Sequence, residues 1–357
     1  MEGVFLTHAS QRNGWRCSTE KAYLRPARKR SNLIVLTGAE VDHIDFDGVR
    51  AVGVAFTRDG HRQRAWASRE IILSAGTMGS PALLMRSGVG PAAMLAEHDI
   101  AVRNDLPGVG ENLQEHPGVG QNKLINQHTM NSRMRPIDIL GYLMRYAFGR
   151  SGPLSAPAVP AMGLVRTSPD LDEPDVQIHF MPLSYEADPN ESSWDAKGLP
   201  KGKILTFYAS VCHPFSRGRI VLGERRKANV QHQLLGDPRD MCTLIAGCRL
   251  IDRLFQTPTM QALITADRNP NPVPRSDEDW AAFIRANVAL GYHPVGTCRM
   301  GSDAAAVVSP ELRVRGIEGL RVADASIMPT SPSTNTNATA IMIGEKAADI
   351  IAGKAAA

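Results

Sequence analysis

The sequence predicts an α+β protein in which a mostly antiparallel sheet is flanked by helices. Short β-rich segments are joined by two-residue turns: Asp47-Gly48 ends one strand, and Asp59-Gly60 connects the next two as a hairpin. Longer segments, such as residues 240–256, carry apolar residues at helical spacing. The chain has 357 residues, which is enough for two domains with separate cores.

Charge and cysteine content exclude several classes of protein. The 40 Lys and Arg residues exceed the 36 Asp and Glu residues by only four, so we expect no nucleic-acid partner. The densest basic run, RPARKR (25–30), is predicted to lie on a surface loop. Five cysteines without C-x-x-C spacing disfavour a disulfide framework or a zinc knuckle and fit a reducing compartment. No apolar run approaches the ~20 residues that span a bilayer, and no signal peptide is visible at Met1.

A strand, a glycine turn and a helix are predicted between residues 69 and 90. REIILSAG is typical of a buried strand that ends in a turn of small residues. Ser80 is predicted to cap the following helix, with Pro81 at its first position and Gly88 at its exit. This arrangement lets backbone amides approach the phosphates of a nucleotide, and a purely structural turn has the same pattern.

Two later segments are also informative. DLPGVGENLQEHPG (105–118) is punctuated by glycine and proline, which predicts a loop that crosses between domains. Near the C-terminus, residues 319–351 indicate a strand, a loop of small residues and a helix that begins near Asn335–Asn337. The positive end of that helix dipole would be directed at whatever lies in front of the loop.

His293, in the segment GYHPVGTCRMG (291–301), has three interpretations. Pro294 pushes its backbone towards extended geometry, and Gly296 and Gly301 let the chain pass close to something bulky. A histidine held in this way, with an ordinary pKa near ~6.5, can accept a proton at neutral pH. It can equally be a hydrogen-bonded turn histidine. A metal site shared with Cys298 is disfavoured, because no second His or Cys lies nearby.

Four stretches of the sequence resemble the glucose–methanol–choline (GMC) family of FAD-dependent oxidoreductases, and together they span nearly the whole chain. They are RCSTEKAYLRPARKRSNLIVLTGAEV (16–41), GTMGSPALLMRSGVG (76–90), LPGVGENLQEHP (106–117) and YHPVGTCRMG (292–301), the last followed by GLRVADASIMP (319–329) and NTNATAIMIGEKAADII (335–351). The resemblance implies an incomplete FAD-binding, Rossmann-like domain and a substrate domain.

The resemblance also implies roles for individual residues. His293 would be the active-site base, and Asn335 would hold the substrate oxygen while hydride passes to FAD. His213 lies where some relatives place a second histidine that contacts substrate; a surface-loop histidine is the alternative. The implied FAD-contacting residues are Val41, Ser74, Ala75, Gly76, Asp324, Ala325, Thr336 and Asn337; no metal is implied.

The sequence departs from the family pattern because it contains no G-x-G-x-x-G turn to cradle the FAD pyrophosphate. We therefore expect the C-terminal part of such an enzyme, with residues 1–115 as a partial FAD-binding domain, 116–292 as the substrate domain, and 293–357 returning to the FAD-binding domain. FAD binding by this chain alone is expected to be weak or absent. The expected location is cytoplasmic or membrane-associated, and the absence of a signal peptide at Met1 does not bear on it, because Met1 corresponds to a point well inside a family chain.

The function that the resemblance implies is FAD-dependent oxidation of an alcohol to an aldehyde, with an electron acceptor that the sequence does not identify. Pro160 stands where choline-oxidising relatives carry a carboxylate, which favours a neutral primary alcohol over choline. The alternatives are a non-catalytic remnant without FAD and a hydroxynitrile lyase. An in-frame G-x-G-x-x-G upstream of Met1 would favour the enzyme, and a stop codon without one would favour the remnant.

Overall fold

The computed structural model describes residues 2–184 and 200–354, in which strands and helices are mixed. The strands are β1 (Gly3–Leu6), β2 (Gln11–Arg12), β3 (Trp15–Arg16), β4 (Ala39–Asp47), β5 (Arg50–Arg58), β6 (His61–Trp66), β7 (Ile71–Leu73), β8 (Val89–Gly90), β9 (Asn104–Asp105), β10 (Pro117–Ile125), β11 (Ala161–Val165), β12 (Val176–Met181), β13 (Ile204–Val211), β14 (Arg219–Leu222), β15 (Ala228–Gln231), β16 (Ile264–Asn269), β17 (Ala289–Leu290) and β18 (Leu320–Val322).

The helices are α1 (Arg25–Ala27), α2 (Gly76–Arg86), α3 (Ala92–Glu97), α4 (Pro136–Gly149), α5 (Pro238–Phe255), α6 (Pro258–Gln261), α7 (Asp277–Asn287) and α8 (Asn337–Ile351). A π-helical turn covers Glu20–Leu24, and short 3-10 turns cover Met130–Ser132, Pro153–Ser155, Glu224–Arg226 and Ala325–Ile327. Most strand pairs are antiparallel, so the predicted α+β class is confirmed.

The chain forms two compact units, each built from three segments. The first unit contains Met1–Leu33, Pro117–Cys212 and Pro238–Gly291. The second unit contains Ile34–His116, His213–Asp237 and Tyr292–Ala357. The chain passes from the second unit into the first at the end of the loop 105–118.

The first unit is built on an antiparallel sheet with the strand order β1-β11-β12-β13-β10-β16, in which β17 also pairs with β10. The amphipathic helix α5 covers one face of this sheet because its apolar residues recur every three or four positions. Gly247 allows α5 to approach closely, since a Cβ atom there would stand 3.1 Å from Val176. The rings of Phe255 on α5 and Phe207 on β13 meet edge to face at 5.4 Å.

Helix α5 carries two cysteines in different environments: Cys248 is buried and Cys242 is exposed. Six positions at 3.6 residues per turn place the two side chains about 120° apart, on different faces. One face of α5 packs on the sheet, so the other cysteine faces outward.

The second unit contains an antiparallel sheet of β4, β5 and β6 and a parallel pair formed by β7 and β18. The hairpin predicted at Asp59-Gly60 is confirmed, with Arg58 paired to His61. The main core of this unit lies around α2, where Leu84 and Met85 are fully buried. Helix α8 begins at Asn337, as predicted.

Helix α2 begins five residues before the predicted position, at Gly76 rather than after a cap at Ser80. Pro81 therefore lies inside the helix, where it has no N–H to donate to the carbonyl of Thr77. The hydroxyl of Thr297 donates to that carbonyl at 2.5 Å, which satisfies the acceptor that Pro81 leaves. This long-range replacement explains why a proline is tolerated in the second turn.

The boundaries of the two units differ from the predicted domains in two places. Residues 2–33 lie in the first unit, because β1 pairs along its length with β11. Residues 213–237 lie in the second unit, since Ile220 donates its N–H to the carbonyl of Gly110 at 2.7 Å. Within this segment, β14 and β15 form a separate antiparallel ribbon. No helix in the described ranges is long and apolar enough to cross a membrane.

Candidate active site

The carboxyl ends of the two parallel strands meet at a cluster of predicted site residues. Strand β7 is followed by Ser74, whose hydroxyl donates to the carbonyl of Ala323 just after β18 at 3.0 Å. One Asp324 oxygen accepts the N–H of Gly76 at 2.9 Å and the hydroxyl of Ser80 at 2.6 Å. In parallel sheets, ligands bind outside the carboxyl ends of the strands, so this is the expected place for a nucleotide.

The side chain of Asp324 is engaged by protein groups on both oxygens. Its second oxygen accepts the N–H of Ser326 at 2.8 Å and so caps the short 3-10 turn that contains Ala325. A ligand at this cluster would therefore meet backbone groups rather than a free carboxylate. Gly76 suits such an approach, because its φ is +78° and no atom lies within 4 Å of the position a Cβ would take.

Val41 lies on β4, next to α2 rather than at the Asp324 cluster. Its carbonyl accepts a hydrogen bond at 3.0 Å from the guanidinium of Arg86, which also binds the carbonyl of Asp42 at 2.8 Å. The backbone near Val41 is irregular, since the register of the β4–β5 ladder shifts between Val41 and His43. The role of Val41 toward adenine stays a prediction.

His293 and Asn335, the predicted catalytic pair, are in direct contact in the second unit. The amide nitrogen Nδ2 of Asn335 lies 2.8 Å from Nε2 of His293. His293 is half-buried and Asn335 is exposed, so the pair is reachable from solvent. The geometry brings an imidazole and an amide donor to one point, as an alcohol-binding site requires.

The hydrogen bonds define the protonation of His293. An amide nitrogen only donates, so Nε2 of His293 accepts the Asn335 bond and carries no proton. The proton is then on Nδ1, which faces Nδ1 of His116 at 3.1 Å. His116 accepts there and carries its own proton on Nε2, 2.7 Å from the hydroxyl of Ser331. The series of hydrogen bonds from Ser331 through His116 to His293 therefore leaves the basic lone pair of His293 on Nε2.

Glu115 holds the backbone of His293 through hydrogen bonds to its peptide N–H. Its two carboxylate oxygens accept the His293 N–H at 2.8 and 3.1 Å, and one of them also accepts the N–H of His116 at 2.9 Å. Burial raises the pKa of Glu115 to about 7, although these backbone N–H donors act to lower it. Burial lowers the pKa of His293 to about 4, so its imidazole is neutral at pH 7.

These two pKa shifts predict an unusual dependence of stability on pH. Between pH 4.5 and 6.5 the folded state holds a proton on Glu115 that the unfolded state releases, which makes stability fall as pH rises. Over the same range the unfolded state holds a proton on His293 that the folded state lacks, which makes stability rise. The changes in stability with pH that come from Glu115 and from His293 have opposite signs, and they nearly cancel in the wild-type protein.

The variant Glu115→Gln removes the contribution of Glu115 to the pH dependence of stability and leaves the contribution of His293. We expect its free energy of unfolding, relative to the wild type, to increase by about 3 kcal/mol as pH rises from 4.5 to 7. Denaturant unfolding at several pH values measures this, and Glu111→Gln, an exposed glutamate in the same loop, serves as the control. A difference between Glu115→Gln and the wild type that is constant with pH would contradict the prediction.

Gly296 holds the His293 loop against the loop 105–118. Its φ is +97°, and a Cβ atom there would stand 2.5 Å from the carbonyl oxygen of Asn112. The sequence-based expectation that this glycine permits a close approach is confirmed, and the close neighbour is backbone. We expect Gly296→Ala to destabilise the protein by at least ~3 kcal/mol, because strain and overlap add. Thermal unfolding tests this against Gly344→Ala, where a Cβ meets open space.

His213 lies beside the same cluster. Its Nδ1 faces the carbonyl oxygen of Ser331 at 3.1 Å, and its Nε2 faces the hydroxyl of Ser333 at 3.0 Å. A carbonyl only accepts, so Nδ1 carries the proton and Nε2 accepts from Ser333. Ser331 thus connects His213 to His116, and contact between His213 and a substrate stays a prediction.

The N-terminus of α8 follows directly after Asn335. Its cap residue, Thr336, makes no side-chain capping bond, and Asn337 at the first helical position is exposed. The amides of this first turn and the helix dipole suit a group with negative charge. This agrees with the expectation that Thr336 and Asn337 contact a cofactor, which stays a prediction.

Cys298 takes part in packing rather than in a metal site. It is fully buried, its N–H donates to the carbonyl of Ser326 at 2.8 Å, and burial raises the pKa of its thiol. A protonated, buried thiol is a poor metal ligand. Over the residues that the structure describes, no group of three His, Cys, Asp or Glu side chains is arranged to hold a metal.

Sequence reasoning missed Glu115 and His116, which were treated only as part of an interdomain loop. A signal for them exists: EHP in this loop parallels YHP at 292–294, with a histidine before a proline in both. A charged residue and a histidine inside a glycine-rich loop near a domain crossing also suggest a functional loop. Their contact with His293 depends on long-range folding, so a local pattern does not reveal it.

Comparison with known families identifies the relationship. Two models described as GMC oxidoreductase match residues 2–118 and 214–344 of this chain, and together they cover more than half of it. The chain belongs to the GMC oxidoreductase family. The matched ranges include both His116 and the His293–Asn335 pair, so the GMC models cover the candidate site.

Curated GMC relatives match almost the entire chain. An uncharacterised GMC-type oxidoreductase of Mycobacterium tuberculosis is 39% identical over 98% of this chain and 65% of its own length. An alcohol dehydrogenase [acceptor] of Pseudomonas putida is 38% identical over 99% of the chain and 64% of its own length. An oxygen-dependent choline dehydrogenase of Chromohalobacter salexigens is 36% identical over 96% and 61%, respectively. The chain thus spans somewhat less than two thirds of these relatives.

Solved structures confirm the fold. A formate oxidase of Aspergillus oryzae RIB40 superposes with a TM-score of 0.89 at 24% identity and covers 99% of this chain and 66% of its own. A pyridoxine 4-oxidase from Mesorbium loti gives a TM-score of 0.84 at 24% identity, over 100% and 65% of the two chains. At this identity the likeness concerns the fold alone.

Proposed function

We propose that this chain carries the proton-transfer half of an FAD-dependent alcohol oxidation, with His293 as the base and Asn335 as the group that holds the substrate oxygen. The observation that carries the proposal is the 2.8 Å contact between Nε2 of His293 and Nδ2 of Asn335. An alcohol oxygen that replaces this direct bond would donate its proton to Nε2 and accept a hydrogen bond from Nδ2. The P. putida alcohol dehydrogenase [acceptor] supports this class of reaction.

The chain prepares His293 for this role in three ways. Burial keeps the imidazole neutral at pH 7, so its lone pair is available. Glu115 holds the backbone, and His116 binds Nδ1, which directs Nε2 outward. The carboxylate contacts the peptide N–H and not the ring, so it orients the residue without adding negative charge at Nδ1.

The residues present fit FAD on one side of its site. When bound, FAD supplies the acceptor for the hydride of the carbinol carbon. Ser74, Ala75, Gly76 and the backbone at Asp324–Ala325 would hold its nucleotide side, where Gly76 leaves open space at the ends of the parallel strands. The uncapped first turn of α8, with Thr336 and Asn337, would stabilise negative charge. In this proposal the second unit faces FAD and the first unit is the substrate domain.

We further propose that the substrate is a neutral primary alcohol. Pro160 precedes β11 in the first unit, at the position where the family resemblance implies a carboxylate in choline-oxidising relatives. A proline supplies no charge to pair with a quaternary ammonium, so recognition of a cation there loses its main attraction. The 36% identical choline dehydrogenase provides the contrasting substrate.

Anaerobic mixing of the flavin-loaded natural gene product with alcohols tests the function. We expect primary aliphatic alcohols to bleach the flavin spectrum and release aldehyde, with choline at least ~100-fold less effective in kcat/KM, a difference of about 2.7 kcal/mol. Admitting oxygen or a quinone then identifies the electron acceptor. A flavin that no alcohol reduces would refute the proposed function, and equal efficiency with choline would refute the substrate class.

A further inference from the structure

Helix α4 (Pro136–Gly149) in the first unit turns its polar side towards the protein and its apolar side outward. None of its residues is buried. The half-buried positions are Asp138, Tyr142 and Tyr146, which recur at four-residue spacing along one face. Asp138 pairs with Arg135, and the Tyr142 hydroxyl donates to the carbonyl of Arg133 at 3.1 Å. The half-buried side of α4 is therefore polar and aromatic, and the bonds of Asp138 and Tyr142 are to residues directly before the helix.

The outward face of α4 is a continuous apolar stripe. Its residues are Ile137, Leu140, Met144 and Phe148, spaced by three or four positions, and Phe148 is 82% exposed. Leu143 and Ala147 lie between them on the same side and are also exposed. Soluble monomers rarely leave a stripe of this size in water, so such a surface indicates a binding partner.

Basic residues lie at both ends of α4 and beside its half-buried face. The guanidinium of Arg150 stacks over Trp15 at 4.3 Å, and the ammonium of Lys21 lies 5.5 Å from the same ring. Trp15 also contacts Tyr146 of α4 edge to face at 5.3 Å, which ties residues 2–33 to the helix. The exposed run RPARKR (25–30) follows Lys21 along the chain within this segment, apart from Ala27, which is half-buried.

Basic and acidic residues are unevenly distributed along the chain. Residues 2–33 and 133–150 together carry 11 Lys and Arg residues against three Asp and Glu residues. The remainder of the chain carries 29 Lys and Arg residues against 33 Asp and Glu residues, obtained by subtraction from 40 and 36. The net charge of +4 thus combines a basic region, which contains α4 and the segment that packs against it, with a slightly acidic remainder.

We propose that the α4 stripe and the adjoining basic residues of segments 2–33 and 133–150 form a docking surface for an anionic lipid bilayer. An amphipathic helix that lies in the plane of the headgroups buries its apolar stripe at the acyl boundary. Lysine and arginine side chains of the same region attract anionic headgroups. This inference does not depend on the proposed oxidation.

Other occupants fit the surface less well. A second copy docked through the same patch would bring two strongly basic regions together, and the repulsion opposes association. The phosphates of a nucleic acid would pair with the basic residues, but they would leave the apolar stripe in water. A bilayer with anionic headgroups satisfies both the charge and the exposed apolar area.

Cosedimentation of the 357-residue chain with vesicles tests the proposal. We expect binding to vesicles of phosphatidylglycerol mixed with phosphatidylcholine, little binding to phosphatidylcholine alone, and release by salt. The variant Leu140→Glu/Phe148→Glu is expected to lower partitioning at least ~10-fold, because both side chains insert into the interface. Both residues are exposed, so circular dichroism should show an unchanged fold.

The matched control is Val49→Glu/Val102→Glu, which makes the same change in charge at two exposed valines of the second unit. It is expected to bind like the wild type. Absence of binding to anionic vesicles, or equal loss in both double variants, would overturn the proposal. Sedimentation velocity adds a separate outcome: a dimer that Leu140→Glu/Phe148→Glu dissociates would assign the stripe to a second copy and also overturn it.

Discussion

Replacing His293 with alanine is expected to lower kcat for alcohol oxidation by at least ~1,000-fold while the protein retains its flavin. The substitution removes the lone pair on Nε2 that accepts the hydroxyl proton and leaves Asn335 without its partner. It keeps the backbone N–H that Glu115 binds, so the loop should stay in place. Turnover and the ratio of flavin to protein absorbance measure the two effects in the flavin-loaded natural gene product.

A matched histidine provides the control for this result. His61 on β6 is exposed and lies outside the candidate site, so His61→Ala should leave kcat unchanged. A His293→Ala enzyme with normal flavin content and turnover within about threefold of the wild type would refute the base assignment, since general-base catalysis is worth ~100-fold or more.

The second large effect concerns FAD. The 357-residue chain purified by itself is expected to carry much less than one flavin per protein. In the described ranges, β7 pairs only with β18 in a two-stranded parallel sheet, and Ile72 in the middle of β7 is 40% exposed. Parallel strands are normally covered on both faces, and the sequence contains no G-x-G-x-x-G turn to hold a pyrophosphate.

The visible spectrum of the purified chain measures this effect, and release of flavin after denaturation gives the stoichiometry. Titration with FAD, followed by quenching of flavin fluorescence, separates weak affinity from loss during purification. A stoichiometric flavin band would contradict the expectation. In that case Ser74–Gly76 and the backbone at Asp324–Ala325 would form a sufficient nucleotide site with the N-terminus of α8.

Local signals in the sequence predicted the local features of the fold. Asp59-Gly60 supplies the positive φ angles that a two-residue hairpin needs, and the hairpin forms there. Ser276 accepts the N–H of Asp279 and caps α7, as its position before three acidic residues indicates. These features depend on a few neighbouring residues, so no distant contact alters them.

Features that depend on distant residues were missed. Pro81 is tolerated inside α2 because Thr297, more than 200 positions away, satisfies the carbonyl of Thr77. In the candidate site, the family resemblance predicted His293 and Asn335, which are in contact. The supporting pair of Glu115 and His116 lies 177–178 positions before His293, and only the folded chain brings them together.

The face of α4 that is buried also depends on distant residues. The apolar residues of α4 recur at helical spacing, and apolar periodicity normally marks the buried face. Here Trp15, from a segment more than 120 positions earlier, packs against Tyr146 on the opposite face. The pattern predicts that a helix forms, but the position of its neighbours decides which face is left for a partner.

The most direct test of the central claim, that His293 is the proton acceptor, is the rate constant for flavin reduction by alcohol in His293→Ala, measured anaerobically with and without added imidazole. We expect a rate at least ~1,000-fold below the wild type that imidazole partly restores, with the restored rate following the neutral form of imidazole as pH rises. Reduction at the wild-type rate without imidazole would contradict it.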